Sequence, residues 1–371
     1  MDNKICVYAI CKNESQFVDR WYESMKEADE IVVLDTGSTD DTVEQLKKHP
    51  RIKVVQKIYK NWRFDTPRND AMDLASEDVD IFVSTDLDEI LEPGWSIPLK
   101  QKWNPEVHTR AEYRYAWSHT ESGEPARVFD YNKIHNKDWR WVYPVHELLV
   151  RDGSCDYPQS ETLFLFNEVF LHHYPDPTKS RSSYLPLLEL RHRENPYDDW
   201  YGKLYLAHEY HYQGLNDKCV AYIREILLPN LEYFANIEQA NIYLFLGDAY
   251  MALGDGEEAA AAWSKAIEID IFYREPYLRM AQYFNNRRLF DIALGYVQEA
   301  ERTSKRYFSW LEQDDSWNST PNDIKAIAHY YLGHYDLAYE YGKEALAYEP
   351  SNIRFQYNLD YYKAKVGKCD D

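Results

Sequence analysis

Several features that would assign this sequence to a common class of protein are missing from it. Its five cysteines in 371 residues form no C-x-x-C pair, which argues against a zinc site and against the disulfide framework of a secreted protein. No apolar run approaches the length that spans a bilayer, and residues 1–4 lead straight into a strand-like segment without a targeting peptide. These absences predict a reduced, cytoplasmic protein with no membrane span.

Basic residues are also scarce. The sequence has 42 lysines and arginines against 63 aspartates and glutamates, which gives a formal net charge of -21. A partner held through many phosphate contacts would meet net repulsion, so duplex nucleic acid is disfavoured, although a local basic groove stays open as an alternative. Glycine is absent from residues 4–20, where nucleotidyltransferases usually carry a glycine-rich phosphate loop.

The first half of the chain alternates short apolar runs with segments of helical spacing. The runs are of strand length and rich in β-branched residues, and they cover residues 5–10, 31–34, 52–55 and 81–83. This βαβ pattern predicts an α/β domain with a Rossmann-like, mostly parallel sheet. Ligands of such sheets bind beyond the carboxyl ends of the strands, so the polar residues that follow each run are the candidates for chemistry.

The second half carries an internal repeat. One unit has large and small residues at tetratricopeptide spacing: Tyr243, Leu246, Gly247, Tyr250, Gly254, Ala259, Trp263 and Ala266. A second unit follows at a shift of about one repeat length, and weaker copies surround the two. We therefore predict an α/β domain over residues 1–177 and an all-α domain of tetratricopeptide-like hairpins over 178–371. Residues 306–322 interrupt the repeats, and we expect them to fold back on the α/β domain.

The sharpest chemical signal is the sequence Asp86-Leu87-Asp88-Glu89 after the run at 81–83. Two carboxylates one residue apart at a strand end can turn toward one hard cation, which prefers oxygen ligands. The structural alternative is an acidic turn that caps a helix starting near Glu89.

The loop that follows the run at 31–34 is the second signal. It begins with Asp35, continues through Gly37 and leads into a helical segment, so a tight glycine turn and a helix cap explain it structurally. The same loop places Asp35 where its carboxylate can accept a hydrogen bond from the imide N–H of a uracil ring.

Three segments together resemble family 2 glycosyltransferases: IVVLDTGSTDDT at 31–42, Arg68-Asn69-x-Ala71, and Asp86-x-Asp88. The resemblance covers roughly residues 4–175, and a subset of that family carries a tetratricopeptide-like tail. It implies a type A glycosyltransferase (GT-A) fold, a UDP-sugar donor of the UDP-glucose or UDP-N-acetylglucosamine class, Mn²⁺ or Mg²⁺, and inverting hexosyl transfer.

The resemblance also implies roles for single residues in the donor and metal sites. These roles are Asp35 on uracil, Glu14 on the ribose hydroxyls, Arg68 in the donor site, Asp86 on the ribose or the metal, and Asp88 on the metal.

One departure from the family concerns the catalytic base. Family members often carry a Glu-Asp pair downstream of the Asp-x-Asp site, and no such pair occurs between Leu91 and Val150. The segment Val145-His146-Glu147 stands there instead and is similar to the Val-His-Glu segment of the subset. An inverting transfer needs a proton acceptor, so we predict Glu147 as the base and His146 as its orienting partner. A strand-to-helix junction is the structural alternative.

Two further groups complete the predicted site. Trp139 and Trp141 are candidates for an aromatic wall against a sugar, with core packing as the alternative. Of His172 and His173, period-two alternation allows only one to reach the metal, and we choose His173 because it adjoins the point where the chain leaves the sheet.

Two basic residues follow within the next turn. Lys179 and Arg181 are candidates to neutralise the diphosphate, although such residues are more often solvated charges at a helix start.

The predicted function is inverting transfer of a sugar from a UDP-sugar to a protein, peptide or glycan acceptor, which the groove of the repeats could hold. The alternatives are glycosylation of modified, phage-type DNA bases, an inactive peptide-binding scaffold, and a nucleotidyltransferase. The sequence names neither the sugar nor the acceptor, and it leaves the oligomeric state open, with a homodimer as one option.

Overall fold

The computed structural model describes residues 3–120, 123–151, 163–179, 184–304, 306–307 and 310–366. Contacts group the described residues into two compact units. The first takes those within Met1–His119 and Val128–Glu194, and the second takes those within Thr120–Arg127 and Asn195–Asp371. The predicted domain limits, 1–177 and 178–371, stay a prediction.

The strands of the described chain all lie in the first unit. They are β1 (Ile5–Cys11), β2 (Glu30–Asp35), β3 (Ile52–Gln56), β4 (Ile81–Ser84), β5 (Glu89–Leu91), β6 (Arg110–Ala116), β7 (Val128–His135), β8 (Trp139–Val142), β9 (Leu148–Arg151) and β10 (Leu163–His173). The helices of this unit are α1 (Val18–Met25), α2 (Thr42–Lys47), α3 (Asp65–Met72), α4 (Ser96–Lys102) and α5 (Tyr184–Glu194).

Eight of these strands form one mixed sheet in the order β3-β2-β1-β4-β7-β6-β10-β5, and β8 pairs with β9 separately. The strands β3, β2, β1 and β4 are parallel to one another, as the βαβ pattern predicts. β7 is antiparallel to both β4 and β6, while β10 is parallel to β6. The predicted fold class of this unit is therefore confirmed, with antiparallel pairings added beyond β4.

The sheet is covered on both faces, which explains why β1 reads as a continuous apolar run. Val7 contributes to a core with Trp21 of α1, and the neighbouring Tyr8 contributes to the opposite core with Met72 of α3. Successive side chains of a strand point to opposite faces, so a strand between two helical layers must be apolar throughout.

The second unit is helical in its described part. Its helices are α6 (Trp200–Tyr212), α7 (Asn216–Tyr222), α8 (Asn236–Leu253), α9 (Gly256–Ile269), α10 (Arg274–Asn286), α11 (Phe290–Arg302), α12 (Ser319–Tyr331), α13 (Tyr335–Tyr348) and α14 (Ile353–Lys363). They form successive hairpins, α6 with α7 through α12 with α13, and α14 follows as the last helix. Among the helices of the described ranges, none is both long and apolar enough to cross a membrane.

The hairpins pack through the small and large residues that the repeat pattern predicts. Gly247 of α8 lies against the indole of Trp263 in α9 so closely that an added Cβ would be 2.4 Å from its Nε1. Gly342 of α13 lies in the same way against Tyr362 of α14, at 2.9 Å. Each pair lets one helix backbone approach a bulky ring on the next, and the predicted array of tetratricopeptide-like hairpins is confirmed.

Residues 310–318, hereafter the insert, precede α12. The sequence predicts that residues 306–322, which include the insert, fold back on the α/β domain, but the contacts of the insert lie within the array. The ring of Trp310 lies 4.9 Å from that of Tyr205 in α6, and the Tyr273 hydroxyl donates a hydrogen bond of 3.1 Å to the Leu311 carbonyl.

Candidate active site

The carboxyl ends of several strands meet at one edge of the sheet. β1 and β2 end together, with Cys11 opposite Asp35, and β4 pairs in parallel with β1 and leads into Asp86. β10 runs in the same direction as β4, because two antiparallel pairings through β7 and one parallel pairing separate them. His173, the last residue of β10, therefore reaches the edge that carries the predicted acidic residues.

Arg68 of α3 joins two of the predicted residues. Its Nη2 lies 2.9 Å from Asp86 Oδ1, and its Nε donates a hydrogen bond to Glu147 Oε1. Arg68 is buried, yet its Nη1 has no hydrogen-bond partner in the part of the chain that the structure describes. One N–H of a buried guanidinium is thus available beside two carboxylates, which suits an anionic or hydroxylated ligand.

Lys133 of β7 is a second buried cation at this edge. Its Nζ lies 2.8 Å from Glu89 Oε1 and 3.7 Å from Asp86 Oδ2. The Tyr115 hydroxyl also donates to Glu89, and Glu89 in turn accepts from the Asp86 backbone N–H. Burial alone would raise the pKa of Asp86, but the charges of Arg68 and Lys133 outweigh it and lower this pKa to about 2.

Glu89 begins strand β5, so the alternative of an acidic turn capping a helix at this point is wrong. β5 forms a short antiparallel pair with β10, in which Glu89 stands opposite His173. This pairing carries the segment between β4 and β5 to the end of β10. The tight segment between the two strands contains Asp86 and Asp88.

Asp88 and His173 face each other, with His173 Nε2 3.5 Å from Asp88 Oδ2. The other ring nitrogen, Nδ1, donates a hydrogen bond of 3.1 Å to the Trp117 carbonyl. Nε2 therefore faces Asp88: it donates to the carboxylate when the ring is protonated and has a lone pair for a cation when the ring is neutral. Burial lowers the pKa of His173, but the hydrogen bond and charge of Asp88 and the charge of Glu89 raise it above its usual value overall.

The chemistry of Asp88 and His173 shows whether this edge fits a divalent cation. A carboxylate oxygen and an imidazole nitrogen held by a backbone carbonyl are a donor set that Mn²⁺ accepts. Asp86 is engaged by Arg68 and Lys133, and within the described ranges no three His, Cys, Asp or Glu side chains form a cluster that could hold a metal ion. Two protein ligands fit, which matches cations that take their remaining ligands from water and substrate phosphates.

Glu147 lies between β8 and β9, so the predicted strand-to-helix alternative is wrong: the junction joins two strands. In the loop that leads to Glu147, Tyr143 and His146 have left-handed backbone conformations, with φ of 79° and 48° respectively. Neither is a glycine, and such conformations cost free energy that the surroundings must offset. The loop is held in a conformation that it would not adopt by itself.

Arg191 of α5 holds this loop. It is fully buried, and its Nη1 donates to the carbonyls of Val145 and His146 at 2.9 and 2.7 Å. Its guanidinium also stacks on the Tyr143 ring at 3.9 Å. No motif in the sequence identifies Arg191, because its role follows from α5 packing against a loop that is distant along the chain.

The contact that orients Glu147 comes from Arg68, whereas the sequence assigns this task to His146. The His146 ring packs edge-on against Tyr184, with the ring centroids 5.6 Å apart. Its backbone carbonyl is one of the two that Arg191 binds. The orienting role of His146 stays a prediction.

Asp35 is fully buried and faces its own loop. Its carboxylate accepts hydrogen bonds from the backbone N–H groups of Gly37 and Ser38, each at 3.2 Å, and from the Ser38 hydroxyl. Gly37 has φ of 112°, which a residue with a side chain rarely adopts. This is the tight glycine turn of the structural alternative, and the uracil contact of Asp35 stays a prediction.

Glu14 and Lys179, predicted at the ribose and the diphosphate, are paired with each other. Burial raises the pKa of Glu14 to about 7 although Lys179 opposes this effect. Glu14 Oε2 is buried without a hydrogen-bond partner among the residues that the structure describes, so one acceptor oxygen is available for a ligand hydroxyl. Arg181 lies outside the described residues.

Trp139 and Trp141 are in the core, with only 3% and 4% of their surfaces exposed. The Trp141 indole donates to the buried Tyr8 hydroxyl at 2.7 Å, and its backbone pairs with the side chain of Asn69. This is the core-packing alternative that the sequence left open. Trp141 also contacts the site, since the Arg68 guanidinium lies over its ring, 5.3 Å from the ring centroid.

A cavity of about 380 Å³ opens beside His173. It is lined by Trp117, Ser118, His119, His173, Tyr174 and Pro175. The Trp117 and His173 rings lie 4.6 Å apart, and His119 stacks on Tyr174 at 4.4 Å. The sequence interpretation missed Trp117 and His119, because they follow an antiparallel strand that the βαβ pattern does not show.

Comparison with known proteins gives matches in both halves of the chain. Residues 6–141 match the family model described as glycosyl transferase family 2, and no curated protein gives a significant sequence match. Among solved structures, a thermophilic TPR protein in Thermus thermophilus is similar at 18% identity, over 49% of this chain and 90% of that chain, with a TM-score of 0.38. The first TPR domain of the human RPAP3 protein is similar at 16% identity, over 35% and 93%, with a TM-score of 0.30.

Proposed function

We propose that this chain is a glycosyltransferase, since its residues 6–141 match the model of glycosyl transferase family 2, and that it transfers a hexose from a UDP-sugar with inversion. The donor is of the UDP-glucose or UDP-N-acetylglucosamine class, and the acceptor is a hydroxyl of a protein, peptide or glycan. The observation that carries the proposal is Arg68, which links the carboxylates of Asp86 and Glu147 at the edge where Asp88 and His173 also lie.

Glu14, Arg68 and Lys179 form the donor side of the proposed site. The unpartnered oxygen of Glu14 accepts from a ribose hydroxyl, and the free N–H of Arg68 donates to a donor oxygen. Binding of the diphosphate draws Lys179 away from Glu14 because two phosphates attract an ammonium group more strongly than one carboxylate does. Asp35 keeps its loop in the shape that receives the uracil ring.

Asp88 and His173 would hold a divalent cation, Mn²⁺ or Mg²⁺. When bound, the cation neutralises charge on the departing diphosphate. Asp86 helps chiefly by keeping Arg68 and Lys133 in place, because its carboxylate contacts both cations.

Glu147 is the proposed base. Its carboxylate takes the proton of the acceptor hydroxyl while the acceptor oxygen bonds to the anomeric carbon, and the bond from that carbon to the phosphate oxygen breaks on the opposite face of the sugar. Arg68 fixes the direction of the Glu147 carboxylate through Oε1. UDP leaves with the electron pair of the broken bond.

Trp117, His119 and Tyr174 replace Trp139 and Trp141 as the proposed aromatic wall. The cavity that they line adjoins His173 and is of a size that suits a small ligand. A sugar ring has an apolar face that packs on aromatic rings, and buried Trp139 and Trp141 leave no surface for such packing.

The test is release of UDP from a panel of UDP-sugars in the presence of Mn²⁺ or Mg²⁺. We expect slow donor hydrolysis with at least one UDP-hexose and its loss on addition of EDTA. The peptide-binding scaffold predicts no UDP release from any donor, and a nucleotidyltransferase predicts release of sugar 1-phosphate instead, because it transfers the uridylyl group. A location in the cytoplasm, a homodimer and DNA as the acceptor stay predictions of the sequence.

A further inference from the structure

The insert, residues 310–318, lies across the face that the first helices of successive hairpins present. At one end, Trp310 packs on α6, with its ring 4.9 Å from Tyr205 and 5.9 Å from His208. His208 is held by Asn241 of α8 at 2.8 Å. The indole is thus seated on α6, whose His208 is hydrogen-bonded to the next hairpin, in the manner of an anchoring side chain of a bound peptide.

The middle of the insert is bound through its main chain. The Tyr273 hydroxyl donates to the Leu311 carbonyl at 3.1 Å, and Glu275 of α10 accepts from the Gln313 backbone N–H at 2.7 Å. Arg279, one turn further along α10, donates to the Gln313 side chain at 3.4 Å. Recognition of an extended main chain by side chains of a helical face is how one protein binds a peptide segment of another.

At its other end the insert meets Arg274 of α10. The guanidinium lies 3.7 Å above the Trp317 ring, and its Nη1 donates to the Ser316 carbonyl at 3.4 Å. Two tryptophans therefore anchor the ends, and backbone groups lie between them.

Not all polar groups of this interface have partners within the ranges that the structure describes. Four of its polar atoms are buried without a hydrogen-bond partner among the described residues: Glu275 Oε2, Glu312 Oε2, Arg274 Nε and Trp317 Nε1. Buried polar atoms normally find partners, and those that do not weaken the contact. A segment seated on such a surface is easier to displace than a helix of the array.

We infer that the first-helix face of α6, α8 and α10 is a peptide-binding surface whose resident ligand is the insert of the same chain. An external peptide reaches this face only after the insert leaves it. This inference goes beyond the proposed function and does not depend on it, since the site of sugar transfer is not involved. It implies that an acceptor is not recognised by this face while the insert is bound.

The expected affinity of the free insert peptide follows from the covalent connection of the insert to the array. A ligand joined to its site by a short linker has an effective concentration in the millimolar range, and the insert is seated in the structure. The free insert sequence must therefore bind the empty face with a Kd below about 1 mM.

The experiment uses the full chain with residues 310–318 replaced by a Gly/Ser linker of equal length. A fluorescent synthetic peptide of residues 310–318 is titrated into this variant and into the wild-type chain, and anisotropy is measured. We expect saturable binding to the variant and weaker binding to the wild type, because its own insert occupies the face and competes at its effective concentration. A peptide of the same composition in scrambled order is the control.

Two outcomes overturn the inference. One is a folded linker variant, with wild-type helical circular dichroism, that fails to saturate below about 1 mM peptide. The other is equal binding to wild type and variant, which would place the peptide elsewhere. If the linker variant does not fold, Trp310→Ala in the full chain replaces it: the anchor is removed, and peptide binding that does not exceed the wild-type level contradicts the inference.

Discussion

The two units bury different kinds of surface. In the first unit, the strand-end edge keeps Arg68, Lys133, Asp86 and Glu89 close together, with both cations and Glu89 buried. In the second, α8 packs on α9 where Gly247 meets the Trp263 indole, and polar contacts such as the Arg279–Asp248 pair join neighbouring hairpins. Buried ion pairs are often no more stabilising than apolar residues of the same volume, so stability alone does not explain the charged edge. This is consistent with the proposal that the charged edge of the first unit is present for chemistry.

Replacement of a proposed metal ligand at the charged edge should lower the activity most. For Asp88→Asn we expect a loss of about 10³-fold in UDP release, because stabilisation of the leaving diphosphate contributes several kcal/mol. Binding of Mn²⁺, followed by calorimetry, should weaken as well. Asp73→Asn, an exposed carboxylate with 60% of its side chain accessible, is the control and should leave both unchanged. Full activity of Asp88→Asn in the presence of EDTA would refute the metal assignment.

Replacement of the proposed base comes next. Glu147→Gln should lower transfer about 10²- to 10⁴-fold, since the amide cannot take the acceptor proton, while the affinity for the UDP-sugar changes little. Glu194→Gln is the matched control, because Glu194 also faces an arginine, Arg63, within the same unit. Transfer at the wild-type rate by Glu147→Gln would exclude this residue, and Glu89 would become the next candidate.

Glu275 is one of several buried carboxylates in the array, with Asp270, Glu312 and Asp323 among the others, and it allows a pH test. Burial raises its pKa to about 7, with Glu312 adding to the shift and the Gln313 N–H and Arg279 opposing it. A raised carboxyl pKa means that the folded state holds the proton more tightly than the unfolded state.

The contribution of Glu275 to the free energy of unfolding of the second unit should therefore be greatest below about pH 4.5. As the pH rises to about 7, this free energy should fall by on the order of 3 kcal/mol. Glu275→Gln removes this dependence. Thermal unfolding of wild type and variant at pH 5 and pH 8 is the measurement, with the variant more stable than wild type only at pH 8. An equal difference at both pH values would contradict the expectation.

Replacement of Arg191 tests whether the conformation of the loop before Glu147 matters for sugar transfer. Arg191→Met leaves the Val145 and His146 carbonyls without their donor, so the loop relaxes and Glu147 moves. We expect kcat to fall about 10- to 100-fold with little change in KM for the donor, because small displacements of a reacting group are costly. Arg193→Met, an exposed arginine of the same helix, is the control. A change in KM alone would show that Arg191 supports donor binding and not the loop.

The smallest effects are expected at glycines of the array. Gly247→Ala should destabilise it by about 1–3 kcal/mol, because the methyl group would overlap the Trp263 indole. Gly295→Ala has open space around the new methyl group and should stabilise α11 by about 0.5–1 kcal/mol. Urea unfolding of the two variants measures both changes in stability. It compares a glycine packed against an indole with a glycine that has open space around it. Similar changes at both would show that the seam is not tightly packed.

Much of the fold follows from patterns that are local in sequence. The βαβ alternation predicts β1 to β4, and the spacing of small and large residues predicts the hairpins, because both patterns record which side of a single element is buried. β6, β7 and β10 are harder to recognise, since their order in the sheet depends on pairings between distant segments. The insert was misplaced for the same reason: its two tryptophans show that it packs on something but do not show on what.

For the candidate site, the sequence by itself determined which residue types stand at the strand ends: Asp35, the Asp86-x-Asp88 pair and His173. A parallel sheet brings the carboxyl ends of its strands to one edge, so order along the chain was sufficient for these. Only the tertiary structure decided that Arg68 holds Glu147, that Arg191 holds the loop beside it, and that Trp139 and Trp141 are in the core while Trp117 lines a cavity. These contacts join residues far apart in the chain, and their geometry depends on how helices and strands pack together, which no local pattern records.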